Sequence, residues 1–159
     1  MDKKKLIEHI RVELEKDLEV MTASQKATVE GMTSEESKPE NEYDTRGLEA
    51  SYLARGQAKR INEIRELLLL LKHIEIKSFT ADDEISATAL VEVESAGKTS
   101  LLLMMPQGGG VTVTFEGKRI QIVTPNSPLG EALVGQKEGD IAVVEQGPQV
   151  REYEILSIS

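Results

Sequence analysis

Residues 30–44 concentrate the side chains best suited to hold a hard cation: Glu30, Glu35, Glu36, Glu40, Glu42 and Asp44 against Lys38 alone, a net charge of −5. Clustered carboxylates bind Mg²⁺ through one or two oxygens and leave water in the remaining positions. A cation so held orients a water for attack on a phosphate. The same acids also suit a solvated loop, or the first turn of a following helix, where a carboxylate offsets the helix dipole. An EF-hand is excluded, because no central glycine stands among acids at its fixed positions.

Other chemistries have less support. The 159 residues contain no cysteine, which removes thiolate zinc sites, iron–sulfur clusters, cysteine nucleophiles and disulfides. Aromatics make up 3%, too few for a platform that stacks single-stranded bases. His9 and His73 alone do not make a metal site, and the surface or a helix seam suits them better. Gly108-Gly109-Gly110 lacks the lysine and following helix of a phosphate loop and reads as a flexible turn. Ser127 has no base partner and no flanking glycines of a nucleophile elbow. The net charge of −9 argues against loose coating of DNA, which needs a basic surface. Arg55, Lys59 and Arg60 form a basic run that suits either phosphates and acidic surfaces or pairing with glutamates on the same helix.

Two kinds of element must position these groups. Leu6, Ile7, Ile10, Leu14, Leu18 and Met21 recur at steps of three and four, one face of a helix. After the loop chemistry of residues 33–39, a second stripe runs Leu48, Tyr52, Ala54, Ala58, Ile61, Ile64, Leu68, Leu71. Two helices joined by a short break, each with one apolar stripe, pack as an antiparallel coiled-coil hairpin. Arms of about 28 residues reach roughly 40 Å. This hairpin is expected over residues 1–75, with its acidic tip at 33–44.

From residue 76 the period changes to two. Strands are expected at 87–94, 100–105, 111–115, 119–124, 140–144 and 151–157, punctuated by glycine turns. Leu101 to Met105 reads as a buried strand. Ser127 as N-cap, Pro128 in the first helical position and Gly135 beyond the end predict one short helix. Residues 76–159 therefore predict an antiparallel sheet with a single helix, and the chain an α+β protein. The longest central apolar run, Leu67 to Leu71, is far too short to span a membrane. The charged, amphipathic N-terminus does not read as a signal peptide. The expectation is a cytoplasmic, monomeric protein with no membrane association.

Residues Ile122 to Asp140, with the Ser127-Pro128-Leu129-Gly130 stretch at their centre, and the ending Arg151-Glu152-Tyr153-Glu154-Ile155 closely resemble the C-terminal domain of bacterial Gre transcript cleavage factors. The resemblance implies an FKBP-like second domain and, ahead of it, a coiled coil with an acidic tip. It also implies a transcription elongation factor that is not itself an enzyme. Such a factor binds RNA polymerase at the secondary channel and helps the polymerase's own active site, with Mg²⁺, cut backtracked RNA.

By the same resemblance, Glu40, Glu42 and Asp44 are the assisting tip carboxylates. Glu40 shares the Mg²⁺ only in the complex, and no cofactor is tightly bound. Arg55, Lys59 and Arg60 face the RNA 3′ end or the polymerase, and Ser127, Pro128, Leu129 and Gly130 form a docking edge. The family's usual tip is Asp-x-x-Glu-Asn followed closely by Glu-Tyr. Here Glu40-Asn41 and Glu42-Tyr43 match, but Ser37 stands where the leading Asp belongs. A channel binder that competes with cleaving factors without cutting is the alternative. A prolyl isomerase needs aromatic pocket walls, for which Phe79, Phe115 and Tyr153 are few. A coiled-coil adaptor would tolerate any tip.

Overall fold

The computed structural model describes residues 1–33 and 46–159. Nearly all of the acidic tip expected at 33–44, with Glu40, Glu42 and Asp44, lies outside the described residues. Contacts divide the chain into two compact units, Arg11–Lys72 and Met1–Ile10 with His73–Ser159. The first ten residues thus go with the sheet.

Helix α1 spans Lys3–Thr33 and α2 spans Arg46–His73. At 31 and 28 residues they are about 46 and 42 Å long. Asp2 caps α1, its Oδ1 accepting from the Lys4 N–H at 2.9 Å, which satisfies a donor that the first turn leaves free. Leu6, Ile7, Ile10 and Leu14 are buried, and Leu18 and Met21 are half-buried. In α2 the buried stripe is Ile61, Ile64, Leu67 and Leu71. Leu67 takes the place expected of Leu68, because a period of 3.6 lets two adjacent residues flank one seam. Leu48 and Tyr52, expected on this stripe, are 54% and 61% exposed. Within the Arg11–Lys72 unit, Gln57 Nε2 of α2 donates to Ser24 Oγ of α1 at 3.1 Å.

The second half holds β1 (Leu90–Ser95), β2 (Lys98–Met104), β3 (Thr112–Phe115), β4 (Lys118–Val123), α3 (Pro128–Leu133), β5 (Ile141–Gln146) and β6 (Gln149–Ile158). The α+β class and the six strands match the expectation. The sheet is mixed rather than antiparallel. Its order is β3-β4-β2-β1-β6-β5, and β2 runs parallel to β4. The chain reverses between β2 and β3 and again at the tight Glu116-Gly117 turn, both residues at positive φ, so β4, inserted between β3 and β2, runs in the direction of β2. Leu102 and Leu103 face opposite ways and are both buried, as suits a central strand with a parallel neighbour.

One sheet face carries Val91, Val93, Leu102, Met104, Val123, Ala142, Ile155 and Ile158, packed with Leu133 of α3. Burial of this apolar surface is the main stabilising term for the unit. The opposite face has two parts. Over β2, β4 and β3 it holds Leu103, Ile120, Ile122 and Val113, all buried. The start of α1 lies on this part: the His9 ring is 5.3 Å from the ring of Phe115, which projects from the same face as Val113. Leu90 of β1, opposite Leu103, is buried with them, whereas from Glu94 across β6 and β5 the same face is exposed.

Thr88 ties the N-terminus to the sheet. It is buried at φ 73°, a left-handed conformation unusual for a β-branched residue. Its N–H donates to Met104 O at 2.8 Å, and its Oγ1 accepts from the Lys77 N–H at 3.0 Å. Its carbonyl accepts from Lys3 Nζ at 3.0 Å. Lys3 also donates to the Lys77 carbonyl and lies 4.6 Å from the Phe79 ring centroid. Partial burial holds the Lys3 ammonium below the ordinary lysine value.

Candidate functional site

The Ser127–Gly130 stretch opens α3, and its sequence explains its shape. Ser127 Oγ accepts from the Gly130 N–H at 3.1 Å and donates to Thr124 O at 2.7 Å. Pro128 occupies the first turn, where its missing N–H costs nothing. Gly130 is buried against backbone: a Cβ there would lie 1.7 Å from Thr124 O. The hydroxyl of Thr124 donates to Asn126 Oδ1 at 2.6 Å and closes the turn before the cap. Gly135, at φ 81°, follows the helix as expected, where a left-handed residue is needed.

Ser127, Pro128 and Leu129 line a cavity of about 240 Å³ together with Gly109, Gly110, Gln121, Val144, Gln146, Arg151 and Tyr153. Pro128 is exposed and Leu129 half-buried. The edge therefore offers apolar surface beside a guanidinium and two amides. The residues missed in the sequence are Gln121, Gln146 and Arg151. They come from β4, β5 and β6, and only the strand order brings them together. The glycine run is a turn, as expected: the Gly110 N–H donates to Ile122 O at 3.0 Å and the Val111 N–H to Gly108 O at 3.1 Å. A Cβ at Gly109 would press on Thr124 Oγ1 at 3.2 Å.

The three aromatics do not assemble one pocket. Tyr153 lines the cavity, Phe79 lies against Lys3 and Phe115 against His9. Among the described residues these three do not form the aromatic walls that a prolyl-isomerase pocket needs. On α2, Arg55, Lys59 and Arg60 are exposed. The Arg60 guanidinium is 3.6 Å from Glu63, and that of Arg55 is 5.9 Å from the Tyr52 ring centroid. Among the described residues no group of three His, Asp or Glu could hold a metal, so the Mg²⁺ assignment rests on tip residues outside them.

Residues 80–159 match the family model described as "Transcription elongation factor, GreA/GreB, C-term". The chain belongs to the GreA/GreB family. Among its relatives, the transcription elongation factor GreA of Methylococcus capsulatus is 28% identical over 99 residues, covering 62% of this chain and 60% of that protein. GreA of Streptococcus gordonii is 31% identical over 98 residues, covering 60% and 59%. The chain thus spans about 60% of the length of the curated relatives it matches. Among solved structures, GreA factor homolog 1 of Thermus thermophilus aligns over 96% of this chain and 94% of its own, at 22% identity and a TM-score of 0.37. A GreA/GreB factor from Nitrosomonas europaea aligns over 69% and 89%, at 15% identity and a TM-score of 0.37. The family match begins seven residues after the end of α2 and contains the whole Ser127–Gly130 edge. No helix among the described residues is long and apolar enough to cross a membrane.

Proposed function

We propose that the chain is a cytoplasmic transcription elongation factor that binds RNA polymerase and reaches into its secondary channel. There it stimulates cleavage of backtracked RNA by the polymerase's own active site. The family match over residues 80–159 carries this reading. Pro128 and Leu129, on the rim of the cavity beside Arg151, dock on the polymerase surface. Helices of about 42 to 46 Å have the length to extend toward a buried centre, and Arg55, Lys59 and Arg60 accompany the RNA 3′ end or the channel wall. Glu40 is the carboxylate assigned to share Mg²⁺ with the polymerase, with Glu42 and Asp44 beside it. A second cation stabilises charge on the attacking and leaving oxygens of a phosphodiester. The protein acts as a monomer and is not an enzyme alone.

Ser37, where the family has its leading aspartate, favours a second reading: the chain occupies the channel and competes with cleaving factors without promoting cleavage. Binding to RNA polymerase tests what the two readings share. The full chain is expected to bind, and Pro128→Asp to weaken binding about tenfold while leaving the fold intact, since an acid is tolerated in a first helical turn. Absence of binding would overturn both readings. RNA shortening separates them.

A further inference from the structure

Strand β5 is one edge of the sheet, and its open face carries an uncommon mixture. Cross-strand register places Ile141 opposite Glu154, Val143 opposite Glu152 and Glu145 opposite Val150. One strand further in, Glu94 stands directly opposite Glu154. All these side chains project away from α3 and the apolar core. Ile141, Val143 and Val150 are 55%, 47% and 60% exposed. No lysine or arginine occupies an outward position on β1, β6 or β5.

Two features of this face need explaining. Edge strands are ordinarily guarded by lysine, proline or a bulge, yet the six residues Ile141 to Gln146 hold no lysine or proline, and the β1–β6 irregularity lies on the other side of β6. Like charges directly opposite one another destabilise a strand pair, yet Glu94 and Glu154 are so placed, with Glu152 on the same face. A cationic partner would relieve the repulsion and cover the valines and isoleucine together.

We propose that the β5 edge is a docking site for an extended, lysine- or arginine-rich segment of a partner protein, added as a seventh strand beside β5. Backbone hydrogen bonds to β5 supply affinity in this mode, and alternate side chains supply specificity. Apolar residues of the segment pack on Ile141 and Val143. Its basic residues reach Glu145, Glu152 and Glu154. Charge selects this occupant over a second copy of the chain: residues 76–159 hold six basic and twelve acidic residues, so edge-to-edge pairing of two copies would bring glutamates together. The site lies on the opposite sheet face from the Ser127–Gly130 edge and does not depend on the polymerase reading.

The test uses the full chain and fluorescein-labelled hexapeptides, read by anisotropy at low salt. The peptide Lys-Thr-Val-Thr-Lys-Thr, whose lysines and valine share one strand face, is expected to bind at least tenfold more tightly than the isomer Lys-Thr-Thr-Val-Lys-Thr, which turns the valine to the other face. N-methylation of its pairing amides should abolish the preference. Val143→Lys and the double variant Glu152→Lys/Glu154→Lys should each weaken binding at least tenfold, with far-UV circular dichroism and melting confirming that both remain folded. Equal binding of the two isomeric peptides would show charge attraction alone and overturn the proposal. So would binding indifferent to both variants, no binding at all, or self-association of the chain that Val143→Lys abolishes.

Discussion

At the Ser127–Gly130 edge, two of the four residues are fixed by what they touch. Ser127 bonds the Gly130 N–H and the Thr124 carbonyl, and Gly130 has no room for a methyl group. On α2 the residues of interest touch little. Arg60 meets one glutamate of its own helix, and Lys59 is exposed. The first region is constrained by packing, so its sequence is recognisable and the family match falls upon it. The second is constrained by helical period alone, which many sequences satisfy. A resemblance can therefore be sharp in the sheet unit and loose in the helices without the helices mattering less. It also follows that at Ser127 and Gly130 family likeness reports folding first, while Pro128 and Leu129 remain free to report docking.

That contrast can be broken by substitution, most severely at Gly130. Gly130→Ala forces a Cβ into the Thr124 carbonyl and is expected to cost about 3 kcal/mol, at the upper end for overpacking. Urea denaturation followed by circular dichroism measures it, and a loss below 1 kcal/mol would show that α3 shifts freely. Ser127→Ala removes the cap and leaves the Gly130 N–H without its side-chain partner. About 1 kcal/mol should be lost, seen as a lower urea midpoint at unchanged slope. Arg60→Ala on α2 should change stability by less than about 0.5 kcal/mol, as for an exposed ion pair. A larger loss in the same assay would mean that the helices are packed as selectively as the α3 edge.

The smallest effect concerns pH. The Thr80 N–H and hydroxyl, at 2.7 and 3.0 Å from Asp83 Oδ2, hold the Asp83 carboxyl below its ordinary value of 3.8. A depressed carboxylate stabilises the fold above its unfolded pKa, and the gain is lost as pH falls through the folded value. The stability difference between the native chain and Asp83→Asn should thus be constant near neutrality and shrink below about pH 3.8. A difference that grows with acidity would contradict the assignment.

How much could be read in advance follows the same division. The buried residues of α1 follow from steps of three and four, and α3 from the serine, proline and glycine that bound it. The parallel β2–β4 pair is hidden because a period of two does not say which strands lie side by side, although the continuous apolar run Leu101 to Met105 already marks a strand buried on both faces. The Lys3 and Thr88 contacts were invisible, since the partners are 85 residues apart and no local propensity announces a threonine at positive φ. Period alone puts Leu48 and Tyr52 on the buried stripe, and it does not say where along a helix the cover ends. The cavity beside α3 was half legible: its Ser127–Leu129 wall is one segment, while Gln121, Gln146 and Arg151 converge only through strand order.

The central claim is that this chain acts on RNA inside the polymerase through the carboxylate at Glu40. Backtracked elongation complexes incubated with Mg²⁺ and the chain, with RNA length followed on a gel, test it most directly. The account predicts RNA shortening that the chain accelerates and that Glu40→Ala abolishes while polymerase binding is retained. Binding without any acceleration would contradict the cleavage claim and establish the competing, non-cleaving role. Acceleration that survives Glu40→Ala unchanged would remove Glu40 from the chemistry.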